Sequence, residues 1–184
     1  MSQNRDQRQL RRTREKAIRA RVRHGDFVHH PRYGDMPIAS DTPMPPDPER
    51  WLPFVESEAC RVFPETLLMG DTIRQALTDH NTRPIYVDVA RPCTTCRRWF
   101  LFFAQEQRHW YEELGIRTGA EATECTDCRR KRHGEKRDVL RYEALLAAAT
   151  RTSGEEAELD AIRDRLIERG YIRNNSKAAR GAND

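Results

Sequence analysis

A small α+β domain closed by a metal ion is encoded in three features of this chain. Two thiol pairs of identical internal spacing, Cys93-Thr-Thr-Cys96 and Cys125-Thr-Asp-Cys128, are separated by 28 residues. Short β-branched and aromatic runs flank the first pair, and stretches of helical composition follow the second. Finally, the 184 residues are only 37% hydrophobic against 34% charged, a thin apolar supply for a core of that size. A bound metal is one device by which small cores make up such a deficit.

The elements follow in chain order. Residues 1–25 form a basic arm with nine Arg/Lys against two acids, a local charge of +7 within a net charge of +4. Residues 5–24 contain no breaker, but their apolar positions (Leu10, Ala17, Ile18, Ala20, Val22) make no full stripe. The expectation is a marginal basic helix that orders on a partner, and is otherwise disordered. Residues 26–50 hold five prolines between Pro37 and Pro48, which enforce extended backbone and predict a linker or a strap across the core. Apolar residues return from Trp51 to Leu77, cut into short pieces by Pro53, Pro64 and Gly70, with a helical turn at 71–77. Ile85–Val89 alternates and is β-branched, a strand that delivers the chain to Cys93. Arg97–Phe103 is a second strand. Ala104–Gly115 has helical composition and a glycine stop. Thr126–Thr150 is helical apart from Gly134, with Leu140, Leu145, Leu146 and Ala149 on its apolar side. A last helix has Ser153 as N-cap, acids in its first turn and Gly170 beyond its end. The expected organisation is a metal-binding domain at 51–150 with its core at 85–135, a C-terminal helix at 151–172, and a disordered tail at 173–184.

The thiols carry the chemistry. Each C-x-x-C turn places two sulfurs on one side of a knuckle, so the two pairs supply the four donors of a tetrahedral Zn²⁺ site at Cys93, Cys96, Cys125 and Cys128. Flanking Arg97, Arg98, Arg129 and Arg130 favour the thiolates and offset their charge. A thioredoxin-like redox pair leaves the second C-x-x-C surplus. Disulfides do not suit a chain whose first residues lack the apolar region of a secretory signal, so the expected compartment is the cytoplasm. A four-cysteine iron–sulfur cluster uses the same donors, and the even split into pairs favours zinc over it. Cys60 reads as a small buried hydrophobe. His29, His30, His109 and His133 read as surface or packing residues.

Beyond spacing, the stretch Tyr86–Arg132 resembles the zinc-ribbon domain with treble-clef character found in many bacterial proteins. The resemblance rests on Tyr86-x-Asp88, on Cys93 and Cys96 followed by the aromatics Phe100, Phe102 and Phe103, on Gln105, Glu106 and Gln107 with Trp110 and Tyr111, and on Cys125, Cys128 and Arg129. It implies a zinc-ribbon or treble-clef fold with one structural zinc and a family role that is largely undefined. One departure stands out. The family usually carries glycine directly after the second cysteine, where this chain has Arg97, so Arg97 must either take up the left-handed geometry at some cost or use another one.

Function is expected to lie outside the metal. A four-thiolate shell leaves no position for water or substrate, and no phosphate loop or nucleophile motif accompanies it, so no catalysis and no small-molecule substrate is expected. No apolar run approaches the length of a membrane span. The basic arm (Arg11, Arg12, Arg14, Lys16, Arg19) and the knot Arg129, Arg130, Lys131 and Arg132 point to RNA or DNA, or to a ribonucleoprotein. Arginine's planar fork suits phosphates and stacks on bases. The alternative is a zinc-scaffolded adaptor that offers the apolar face of its C-terminal helix (Leu159, Ile162, Leu166, Ile167) to a protein partner.

Overall fold

The computed structural model describes residues 2–45, 59–75 and 82–173. Its elements are α1 (Ser2–Arg21), β1 (Arg61–Met69), β2 (Ile85–Pro92), β3 (Trp99–Phe102), α2 (Ala104–Arg108, continued by a π-helical turn His109–Glu113), α3 (Thr126–Ala147) and α4 (Ser153–Glu168). The fold is α+β, as expected. The chain divides into two units, Met1–Cys128 and Arg129–Asp184, and the division falls inside α3 rather than near residue 150.

In the first unit the strands form an antiparallel sheet in the order β1-β2-β3. β2 is the central strand, and its first six residues are buried, which is why Ile85–Val89 is so rich in β-branched residues. On one face Val62, Leu67, Ile85, Val87 and Val89 pack with Cys60. On the other, Phe63, Ala90, Leu101 and Phe103 receive Val22 and Phe27 from the N-terminal segments.

β1 is a single nine-residue strand where the sequence suggested fragments. Pro64 is tolerated because β1 is an edge strand and its pairing breaks register between Phe63 and Leu68. Thr66 repairs the bulge. Its hydroxyl accepts from the Asp88 N–H at 2.6 Å and donates to the Phe63 carbonyl at 2.7 Å. After β1 the chain turns at Gly70, where an added Cβ would lie 2.4 Å from the Arg83 carbonyl oxygen. Residues 72–74 make the turn anticipated there. Ala76, Leu77, the apolar run from Trp51 to Val55, the strap's Pro46 and Pro48, and the tail from residue 174 lie outside the described residues.

The proline-rich segment is a strap, and it engages both edges of the sheet. The Val28 N–H donates to the Trp99 carbonyl at 2.8 Å, and the Ser40 N–H donates to the Glu65 carbonyl at 3.0 Å. Between these points Asp88 acts as a buried peg. Its carboxylate accepts from the Ile38 N–H at 2.8 Å and from the Ala104 N–H at 2.7 Å, tying β2 to the strap and to the start of α2. Complete burial pushes this carboxyl up to about 7, against the pull of the N–H groups of Ala104 and Ile38 and the hydroxyl of Thr66.

α1 corrects the expectation of a helix waiting for a separate partner. Ile18 and Val22 are buried, and the Arg14 guanidinium donates to the strap carbonyls of Ser40 at 3.0 Å and Thr42 at 2.8 Å. The arm is therefore part of the first unit.

The second unit is a helical hairpin. Leu145, Ile162 and Leu166 are buried together, with Val139, Tyr142, Leu159 and Ile172 packed against them. Leu140 and Leu146, expected on the apolar side of α3, are exposed. The N-cap of α4 is Thr152 rather than Ser153, in a capping box with Glu155. Both frames offer Ser/Thr-x-x-Glu, and Thr152 is the one that closes it. At the other end Gly170 takes φ +77°, and the Tyr171 N–H returns to the Leu166 carbonyl at 2.9 Å, a Schellman closure. Asp138 binds both Arg165 and Arg169 at 3.0 Å, and Arg141 pairs with Glu158 at 2.6 Å. No described helix is long and apolar enough to cross a membrane.

Candidate metal centre

Pro92 ends β2, and the chain makes a tight knuckle through Cys93–Cys96 before β3 begins. Two backbone hydrogen bonds close it, from the Cys93 N–H to the Arg98 carbonyl and from the Arg97 N–H to the Cys93 carbonyl, both 2.9 Å. The turn requires a left-handed residue at its exit, and Arg97 supplies it at φ +64°, alone among the described non-glycine residues. Adopting this conformation costs Arg97 on the order of 1 kcal/mol.

The second half comes from the start of α3. Cys125 precedes the helix and Cys128 lies in its first turn, where free N–H groups face outward. The halves are joined directly. The Cys125 N–H donates to the Cys93 sulfur at 3.3 Å, Thr94 N–H reaches the Thr123 carbonyl at 3.0 Å, and the Thr95 hydroxyl donates to Glu124 at 2.7 Å.

All four Sγ atoms lie within 4.8 Å of one another, and Cys96 and Cys125 approach to 3.8 Å. A tetrahedral ion with sulfurs at about 2.3 Å sets them about 3.8 Å apart, so the four thiols are placed to hold one structural zinc. Among the described residues no other group of three or more His, Cys, Asp or Glu could do so. Cys60 sits in the apolar cluster under β2.

The electrostatics of the bare thiols are those of a site made for a cation. Burial pushes the Cys93 thiol up, but the N–H groups of Cys96, Cys125 and Thr95 outweigh it and bring it down to about 6. Cys128 moves the other way. Burial and the neighbouring thiols of Cys125, Cys96 and Cys93 raise it. Arg98 supplies a positive group beside the Cys96 sulfur and also faces Asp127 at 3.3 Å.

Residues 87–137 match the family model of a probable treble clef domain. The matched segment is a treble clef. It contains all four cysteines, the β2–β3 knuckle and the start of α3, as the resemblance implied. No curated protein and no solved structure matches the chain.

The basic residues around the treble clef divide by exposure. Arg11, Arg12, Lys16 and Arg19 are exposed on α1, whereas Arg14 is buried and is spent on the strap. On α3, Arg130, Lys131 and Arg132 are exposed and Arg129 is half-buried. Two arrangements escaped sequence reading. Arg5 and Arg8 join Arg12, Lys16 and Arg19 on one face of α1, a pattern legible in their steps of three or four residues. The other is a cleft at His30 and Glu106, for which no sequence signal exists because 75 residues separate its members.

Proposed function

We propose that this protein is a zinc-closed, non-catalytic module that binds nucleic acid through its phosphate backbone, with the outer stripe of α1 as the main contact. One observation carries the reading. Arg5, Arg8, Arg12, Lys16 and Arg19 recur at helical spacing and are all exposed, while Arg14, Ile18 and Val22 anchor the opposite side of the helix. None of the five makes an ion pair among the described residues. Of the acids beside the stripe, Glu15 is engaged sideways by Arg11 at 3.3 Å, and Asp6 lines the same hollow as Arg5, Arg8 and Arg12. From Arg5 to Arg19 the stripe runs about 21 Å, at about 1.5 Å per residue, one cation for each helical turn or less.

Docking matters to the energetics. A free basic tail would lose conformational freedom on binding, whereas this helix is already ordered on its own domain. Arg130, Lys131 and Arg132 of α3 supply a second basic segment. The adaptor alternative has less support, because Ile162 and Leu166 of α4 are buried against Leu145. The zinc's role in this reading is structural, since four thiolates complete its shell.

The test is a titration of the full-length protein against RNA and DNA at rising salt. Affinity is expected to fall log-linearly, and Arg8→Ala/Arg12→Ala/Lys16→Ala is expected to flatten the slope by about one unit per lost cation. Absence of binding at low salt, or binding indifferent to salt, rules the reading out.

A further inference from the structure

Between the strap and α2 the first unit holds a cleft of about 270 Å³ lined by His30, Arg32, Tyr33, Glu106, His109 and Trp110. Its floor is a carboxylate. Glu106 is buried and faces His30 Nε2 across 3.7 Å. His30 is held in a defined state. Its Nδ1 accepts from the N–H groups of Arg32 at 3.2 Å and Tyr33 at 3.3 Å, which leaves the proton on Nε2. The ring is stacked on Tyr33 at 4.8 Å and packs edge-on to Phe103 at 5.5 Å. The cleft thus sets an acceptor beside a donor, between aromatic walls, with exposed Arg32 at its rim.

The cleft also adjoins the α1 stripe. Tyr33 lines it and equally lines the groove that carries Arg19. A strand whose phosphates follow the stripe therefore reaches the cleft at the stripe's C-terminal end.

We infer that this cleft takes one unstacked nucleobase of a single-stranded nucleic acid. The base's ring lies among the aromatic side chains, its edge donates to Glu106 and accepts from His30 Nε2–H, and its phosphate meets Arg32. All of the common bases present a donor next to an acceptor on the pairing edge, so the geometry selects an unpaired base before it selects which base. A duplex cannot enter, because its edges are already paired. The same aromatic walls and carboxylate suit a guanidinium or ammonium group from a protein, but Arg32 at the rim and the continuity with the stripe favour the nucleotide. The inference rests on the nucleic-acid reading above.

The experiment compares three probes on the full chain at fixed salt: a short single-stranded oligonucleotide, the same strand with abasic sites, and its duplex. The intact single strand is expected to bind about tenfold more tightly than the abasic one, the scale of one base stacked on an aromatic side chain. Glu106→Gln is expected to remove that difference while leaving abasic binding and the salt slope unchanged. Arg32→Ala, at an exposed position, is expected to weaken single strands more than the duplex. Equal affinity for intact and abasic strands, with a normal salt slope, overturns the base cleft and leaves the phosphate stripe standing. Loss of all oligonucleotide binding at low salt overturns both. An arginine-rich peptide that binds in a Glu106-dependent way, with no base dependence in the oligonucleotides, overturns the inference in favour of a cation cage.

Discussion

Residues 2–128 bury a central strand on both faces and still bring four thiols together at one end. The hairpin beyond them buries three side chains, Leu145, Ile162 and Leu166, and draws on caps and ion pairs for the rest. Both are short of apolar surface. The first makes up the deficit with a cation and a buried peg, the second with groups that remain in water. Each unit is therefore vulnerable in its own way. Surface ion pairs and caps contribute about 1 kcal/mol or less apiece and fail gradually. A metal site or a buried carboxylate fails all at once.

The largest break in that comparison should come from the metal. Cys93→Ser or Cys125→Ser, or a chelator, is expected to cost the first unit on the order of 10 kcal/mol. Zinc stoichiometry and near-ultraviolet dichroism should be lost together, while hydrogen exchange in 153–168 changes less. A zinc-free quadruple serine variant that keeps its sheet would refute the structural role. Because Cys93 and Cys96 are lowered, Cys93 to about 6, while Cys125 and Cys128 are raised, zinc binding at neutral pH is expected to release protons and to weaken as pH falls.

A middle-sized effect separates the two units by pH. Asp88, raised to about 7 by burial, adds stability that is complete below its unfolded value and is lost as pH rises toward 7. Asp138, lowered chiefly by its hydrogen bond to Arg165, does the reverse, stabilising above its unfolded value and losing the contribution as pH falls through its folded one. Asp88→Asn should therefore flatten the pH dependence of the first unit between about 4 and 7 by a few kcal/mol. Unchanged melting profiles across that window would show that Asp88 stays ionised. The smallest effect is Thr152→Ala, expected to cost the hairpin about 1 kcal/mol and to leave zinc content untouched, as read by thermal melts.

Much of this was legible because local chemistry and global fold agree. Ile85–Val89 alternates and is β-branched, and it is the central strand; the paired C-x-x-C turns converge as their spacing required. Of the two geometries the missing glycine left open, Arg97 adopts the left-handed one. Legibility failed where a tertiary contact overrides a local rule. Pro64 reads as a breaker, yet an edge position and the Thr66 hydroxyl let the strand run through it. Arg14 reads as a solvent residue and as a nucleic-acid contact, yet two carbonyls of a distant strap bury it. The His30–Glu106 cleft is invisible in one dimension, since its two charge-bearing members lie 76 positions apart in the chain.

The peg at Asp88 also sets an order of assembly. It fixes Ile38 and Ala104, which lie 50 and 16 residues away along the chain, so the strap can settle only once β2 and the start of α2 are in place. During synthesis, α1 and the strap leave the ribosome well before that docking surface exists, and a helix with so few apolar positions stays largely unformed alone. The cationic stripe would then become a rigid surface late, only after the strands behind it have closed, so that binding competence is coupled to completion of the fold.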